Sequence, residues 1–149
     1  MKLDYFVVDA FTDRPFHGNP AGVCPLNEWL PDEAMQSIAF ENNLSETAFV
    51  VPRGTLCDLR WFTPTTAVDL CGHATLASAC VLMRFIDTAA KRVEFHTQSG
   101  PLTVSRSGDL YTLDFPSRPP VPCEKTEPLE RALGVSVLET HLSRDRKSV

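Results

Sequence analysis

The sequence predicts an α+β domain in which a curved, mixed to antiparallel sheet wraps around a central apolar helix. Three observations carry that expectation. Residues 72–85 are apolar around nearly the whole helical circumference, through Leu76, Ala77, Ala79, Cys80, Val81, Leu82, Met83 and Phe85, which is how a helix enclosed by other structure reads. Strand-like and helix-like segments alternate up to that helix, whereas beyond it short strands follow one another across Ser-Gly turns, the pattern of an antiparallel meander. At 149 residues and 43% hydrophobic content, the chain is long enough for one real core and crowded for two.

The first element is a strand over Leu3–Val8, rich in β-branched and aromatic residues, which runs into a long loop of turn residues from Asp9 to Pro20. A loop of that length invites function. A short strand over Ala21–Cys24 follows. Pro31 then opens a helix over Asp32–Asn42, with Met35, Ile38 and Ala39 at helical spacing. Strands are expected at Thr47–Val51 and at Asp58–Thr63, the latter closed by Pro64. The central helix over Gly72–Phe85 comes next, and the meander occupies Arg92–His96, Leu102–Ser105 and Leu110–Phe115. The four prolines between Pro116 and Pro122 argue against regular structure there. A short helix is expected at Pro128–Leu133, and Gly134–Glu139 resembles the start of a further strand.

This divides the chain into a domain over residues 1–115, a Pro-rich connection with the start of a second half over 116–144, and a terminal stretch over 145–149. That last stretch, DRKSV, reads as a non-native tail of the kind left by an incomplete gene read.

Composition excludes several functions. The formal charge of −5 is dispersed, and no Lys/Arg cluster precedes position 140, so neither a nucleic-acid surface nor an anionic membrane surface is indicated. No apolar run approaches the roughly 20 residues that span a bilayer, and an acid interrupts the N-terminus too early for a signal-peptide layout. A cytoplasmic location is the default. The five cysteines are odd in number and contain no Cys-x-x-Cys pair, which argues against a disulfide framework or structural zinc. His17, His96 and His141 form no ligand spacing, so no metal site is expected. No glycine-rich loop offers itself to a phosphate or dinucleotide cofactor.

The chemistry concentrates where the central helix begins. If that helix is enclosed, its first turn opens inside the protein, and the unpaired amides of Gly72, His73, Ala74 and Thr75 form a receptor for a carboxylate or a developing negative charge. Cys71 and His73 flank this receptor. A helix N-terminus disfavours the imidazolium, so a neutral His73 is expected, suited to orienting a substrate or relaying a proton; a first-turn histidine that satisfies a nearby carbonyl reads the same way. Cys71 could be an activated thiol or a plain core residue. Glu46 begins a strand with two apolar faces, where desolvation would raise its pKa toward the range of a proton-transferring acid, or it lies just outside the core and is solvated. Asn19 could present its amide to a ligand beside Gly18, or form an ordinary Asx turn.

Taken in order, these residues resemble the phenazine-biosynthesis PhzF family of isomerases, in the diaminopimelate-epimerase-like fold. The resemblance rests on DAFT at 9–12 with FHGNPAGV at 16–23, NLSETAF at 43–49, RWFTP at 60–64 and VDLCGHAT at 68–75. It implies that Glu46 is the general acid/base and that His73 contributes to the same cleft. Asn19, Ser45, Cys71, Gly72, Ala74 and Thr75 would line a site for a small carboxylate substrate. The best-known reaction of the family moves a proton between ring carbons of a dihydro-hydroxyanthranilate without metal or organic cofactor. In related epimerases a cysteine placed like Cys71 transfers the proton, which keeps racemase or epimerase chemistry open; a non-catalytic binding protein of the same fold is the other alternative. Family members have two similar domains with the site between them and the resemblance implies a homodimeric parent. This chain therefore corresponds to the N-terminal half.

Overall fold

The computed structural model describes residues 2–117, 119–124 and 127–143. The terminal stretch 145–149 lies outside the described residues, and the chain divides into two compact units, residues 1–115 and 116–149.

The first unit is an α+β domain built on one mixed sheet. Its elements are β1 (Phe6–Ala10), β2 (Asn19–Pro25), α1 (Asp32–Asn42), β3 (Glu46–Arg53), β4 (Leu56–Phe62), β5 (Ala67–Val68), α2 (Gly72–Val81), a π-helical turn (Leu82–Ile86), β6 (Arg92–Thr97), β7 (Gly100–Ser107) and β8 (Leu110–Asp114). The strand order is β1-β2-β3-β4-β6-β7-β8, with β5 pairing on β4. Two pairs are parallel, β2 with β3 and β4 with β6. Each is bridged by a helix, as a parallel connection requires. The other pairs are antiparallel hairpins.

The two helices lie on opposite faces because each strand alternates its side chains. Along β3, Ala48 and Val50 join the core around α2, while Phe49 and Val51 join the core around α1. Along β4, Leu59 and Trp61 face α2, and Phe62 packs with α1. The helix α2 touches β1, β2 and β3 at one end of the strand order and β7 and β8 at the other. A sheet that meets one helix from both ends is curled around it. The small side chains of Ala74, Ala77, Ser78 and Ala79, all 0–1% exposed, permit approach from every side.

Several boundaries differ from expectation. The first strand runs over Phe6–Ala10 rather than Leu3–Val8, because its register with β2 ends at Ala10 opposite Asn19; Leu3 and Tyr5 instead pack into the α1 core. The central helix stops being α-helical at Val81. Its last turn is a π turn closed by the Asp87 amide on the Leu82 carbonyl at 2.7 Å. That turn buries Leu82 and Met83 but leaves Phe85 62% exposed, its ring stacked on Phe6 at 5.2 Å, so Phe85 is not part of the enclosed face. The two-residue β5 is too short to carry a sequence pattern.

In the second unit, β9 (Val121–Cys123) pairs antiparallel with β10 (Thr140–Leu142), and α3 spans Glu127–Leu133. Pro122 stands opposite His141, which corrects the expectation that prolines exclude regular structure: a two-stranded ribbon has an open edge where a missing N–H costs nothing. Residues 134–139 are not a strand. Gly134, at φ 68°, terminates α3 with its amide on the Glu130 carbonyl.

On the α1 face of the sheet, Arg60 of β4 holds Asp32 through two 2.8 Å hydrogen bonds and lies over the rings of Trp29 and Phe62. The guanidinium holds the Asp32 carboxyl below the ordinary range. A depressed folded-state pKa means that the contribution is present above the unfolded value of about 3.9 and is lost as pH falls through the folded one. Asp32→Asn is therefore expected to lower stability slightly in the neutral region, leave it unchanged at the acid extreme where the carboxyl is protonated in both states, and so flatten the acid limb of a stability-versus-pH curve. Ala77→Leu is expected to overpack the α2 face and lower unfolding stability by about 1–3 kcal/mol in urea denaturation.

Candidate active site

The fold brings the starts of β3 and α2 together. Glu46 begins β3 beside Ala21 of β2, and β3 runs antiparallel to β4, with Thr47 opposite Phe62. The chain leaves β4, turns at Thr63–Thr66 and returns through β5, where Val68 pairs with Trp61. The turn is held by the Thr63 amide on the Thr66 carbonyl at 2.8 Å and by the Thr63 hydroxyl, which accepts from the amides of Thr65 and Thr66. Gln36 of α1 donates to the Thr63 carbonyl at 2.8 Å. These bonds set α2 down at the Glu46 end of the sheet.

Cys71 is the N-cap of α2, with extended backbone, and no side chain caps this helix. The Thr75 hydroxyl donates back to the Cys71 carbonyl, which braces the first turn. His73 lies in that turn with its side chain 9% exposed, and its Nε2 is 3.3 Å from Glu46 Oε2, whose side chain is 13% exposed. Ser45 Oγ meets the same nitrogen at 3.2 Å. On the other side of the ring, Cys71 Sγ lies 3.5 Å from Nδ1.

Thiol, imidazole and carboxyl thus form a continuous chain. With Glu46 ionised, Nε2 carries the hydrogen and donates to the carboxylate, which leaves Nδ1 to accept from the Cys71 thiol. With Glu46 protonated the imidazole can reverse its tautomer. Such a chain can pass a proton between its ends, and the N-terminus of α2 beside it favours negative charge.

Among the residues singled out from sequence, Ser45, Glu46, Cys71 and His73 are in direct contact. Asn19 stands one strand over: it shares a face with Ala21 and Val23, which pack against α2, and Ala21 is the register partner of Glu46. Ala74 and Thr75 are fully buried as whole residues, while Gly72 at the helix start is partly exposed. Gly18 makes its close approach within its own hairpin: at φ 84° a Cβ there would lie 2.3 Å from the Ala10 carbonyl oxygen. Sequence reasoning missed Phe115, whose ring lies 3.5 Å from where a Cβ on Gly72 would sit. It reaches the helix start from the end of the meander, and no local pattern announces that. It also missed a possible ligand set. Spacing had indicated no metal site, yet among the described residues one ligand atom each from Glu46, Cys71 and His73 lie within 4.8 Å of one another.

A curled mixed sheet around one enclosed helix, with a carboxyl–imidazole pair at the helix mouth, defines a domain of the diaminopimelate-epimerase-like class. The fold matches a predicted epimerase from Pseudomonas aeruginosa at a TM-score of 0.64 and 24% identity, over 79% of this chain and 46% of that one. The family is narrower: the phenazine biosynthesis-like (PhzC/PhzF) family matches residues 8–145, and the chain belongs to it. A PhzF-family phenazine biosynthesis protein from Enterococcus faecalis superposes at a TM-score of 0.86 with 49% identity, over 97% of this chain and 56% of that one. A Pseudomonas aeruginosa protein named an uncharacterized isomerase is 56% identical over 139 residues, covering 93% of this chain and 54% of the relative. The chain thus spans about half the length of these relatives. No helix among the described residues is long and apolar enough to cross a membrane.

All five cysteines are free thiols. Burial pushes Cys24 up to about 11 and also raises Cys57, while Cys123 is exposed. With a disulfide reagent at mildly alkaline pH, Cys123 is expected to react at once and Cys24 and Cys57 only on unfolding, as followed by mass spectrometry of the labelled peptides.

Proposed function

We propose that this chain supplies the acid/base wall of a cofactor-independent PhzF-like isomerase, which moves a proton between carbons of a small carboxylate-bearing substrate. The opposite wall comes from the half of the fold that the relatives span and this chain does not. The observation that carries the reading is the 3.3 Å contact between Glu46 and His73 at the mouth of α2, where two titratable groups meet beside uncapped helix amides. In this reading Glu46 takes the proton from one carbon and returns it at another. His73 orients the carboxyl and exchanges the proton with it, and Ser45 fixes the imidazole through Nε2. The substrate carboxylate sits on the amides of Gly72 to Thr75, with Asn19 across the mouth. Enclosure of the pair strengthens each of these electrostatic interactions relative to water.

A second reading is favoured by one contact. Cys71 Sγ at 3.5 Å from His73 Nδ1 would let the thiol act as the proton-transferring group of a racemase or epimerase.

Solvent-deuterium incorporation into carboxylate substrates, measured on protein comprising both halves of the fold, separates the two. Glu46→Gln is expected to lower the rate by about 10²–10⁴, and Cys71→Ser to leave it within about tenfold. The reverse pattern would transfer the assignment to the thiol, and no incorporation with any substrate by the unaltered protein would favour a binding role.

A further inference from the structure

The same mouth holds a donor set that the proton-transfer reading does not use as a set. Glu46, Cys71 and His73 offer a carboxylate, a thiolate and an imidazole with their ligand atoms within 4.8 Å of one another. Thiolate and imidazole are the ligands that Zn²⁺ prefers, and three protein ligands with an open fourth position form a stable tetrahedral site. Bond lengths of about 2.0–2.3 Å put neighbouring ligand atoms about 3.3–3.8 Å apart; the Glu46 Oε2–His73 Nε2 distance of 3.3 Å falls in that range, whereas Cys71 Sγ is 3.5 Å from the opposite nitrogen, Nδ1, and reaches an ion on Nε2 only by a shift of its side chain. The two contacts use opposite ring nitrogens, so an ion on Nε2 takes Glu46 directly, displaces the Ser45 hydrogen bond, and draws Cys71 Sγ around the ring edge. Charge also balances: one carboxylate and one thiolate neutralise a divalent ion in a partly buried place, and the thiol proton leaves to solvent on binding.

We propose that this cluster is an inhibitory site for a thiophilic divalent cation, Zn²⁺, and that the ion blocks proton transfer by occupying Glu46 and His73. The blocking step rests on the function proposed above; the binding does not.

The test is titration of the 149-residue chain with Co²⁺ as a spectroscopic stand-in. The expected result is one tightly held ion per chain, with a thiolate-to-cobalt charge-transfer band and the intense visible absorption of a four-coordinate site, displaced by Zn²⁺ and unaffected by Mg²⁺. Cys71→Ser should abolish the band, and His73→Gln should weaken binding by more than about 100-fold, beyond the usual loss of an outer-shell partner. Far-UV circular dichroism identifies any variant that fails to fold, and Ser45→Ala, which removes only the competing hydrogen bond, should bind at least as tightly. The absence of a band, its persistence in Cys71→Ser, or its disappearance in Cys123→Ser would overturn the site. In protein comprising both halves, deuterium exchange by metal-free enzyme that Zn²⁺ leaves unchanged would overturn the inhibition alone; absent exchange without metal would instead count against the proposed isomerase.

Discussion

The structure of the first unit depends on enclosing α2. A helix that is mostly Ala, Ser, Thr, Cys and Val, with His73 and Leu76 its only long side chains and only Gly72, Leu76 and Cys80 partly exposed, has little face to give to water and little to hold neighbours away. Burial therefore requires a sheet that approaches it from several directions. A flat sheet covers one face of a helix, so the strands on either side of β3 and β4 must curl until β1 and β8 both reach it. The two parallel connections make this possible. One helix goes to each face, and α1 with Met35, Ala39, Phe49 and Phe62 closes the outer side of the sheet at its centre while α2 fills the inner side.

Enclosure also creates the site. The start of an enclosed helix places polar amides where water is scarce, and no side chain caps this one. The sheet supplies the remaining groups at the same end, because strand alternation that sends Ala48 and Val50 toward α2 sends Glu46 there too. A carboxyl and an imidazole held together in such a place are expensive to desolvate and useful for the same reason: each responds strongly to a proton or charge placed near it. Thr75 and Ser45 serve this arrangement by bracing the helix turn and the ring.

Much of this was legible in the residues. The all-round apolar pattern of residues 72–85 identified the enclosed helix, although α2 itself ends at Val81, the helical spacing of Met35, Ile38 and Ala39 gave α1 with its observed bounds, and period-two alternation placed Glu46 on the face of Ala48 and Val50. The failures share a cause. The π turn after Val81, the lower end of β1, the two-residue β5 and the Pro122 ribbon are decided by partners distant in sequence, such as Phe6 for Phe85 and His141 for Pro122. Local propensity is weak there, and the neighbouring chain overrides it.

By itself the sequence determined the class of fold, the identity of the enclosed helix and the residue types at its mouth, because hydrophobic period and turn chemistry are local properties written into consecutive side chains. Only the tertiary structure decided that Glu46 meets His73 through Nε2 while Cys71 takes Nδ1, that Phe115 covers Gly72, and that three potential ligands from two segments converge. Those facts depend on strand register and on where the Thr63–Thr66 turn sets the helix down, and a register is fixed by the whole sheet.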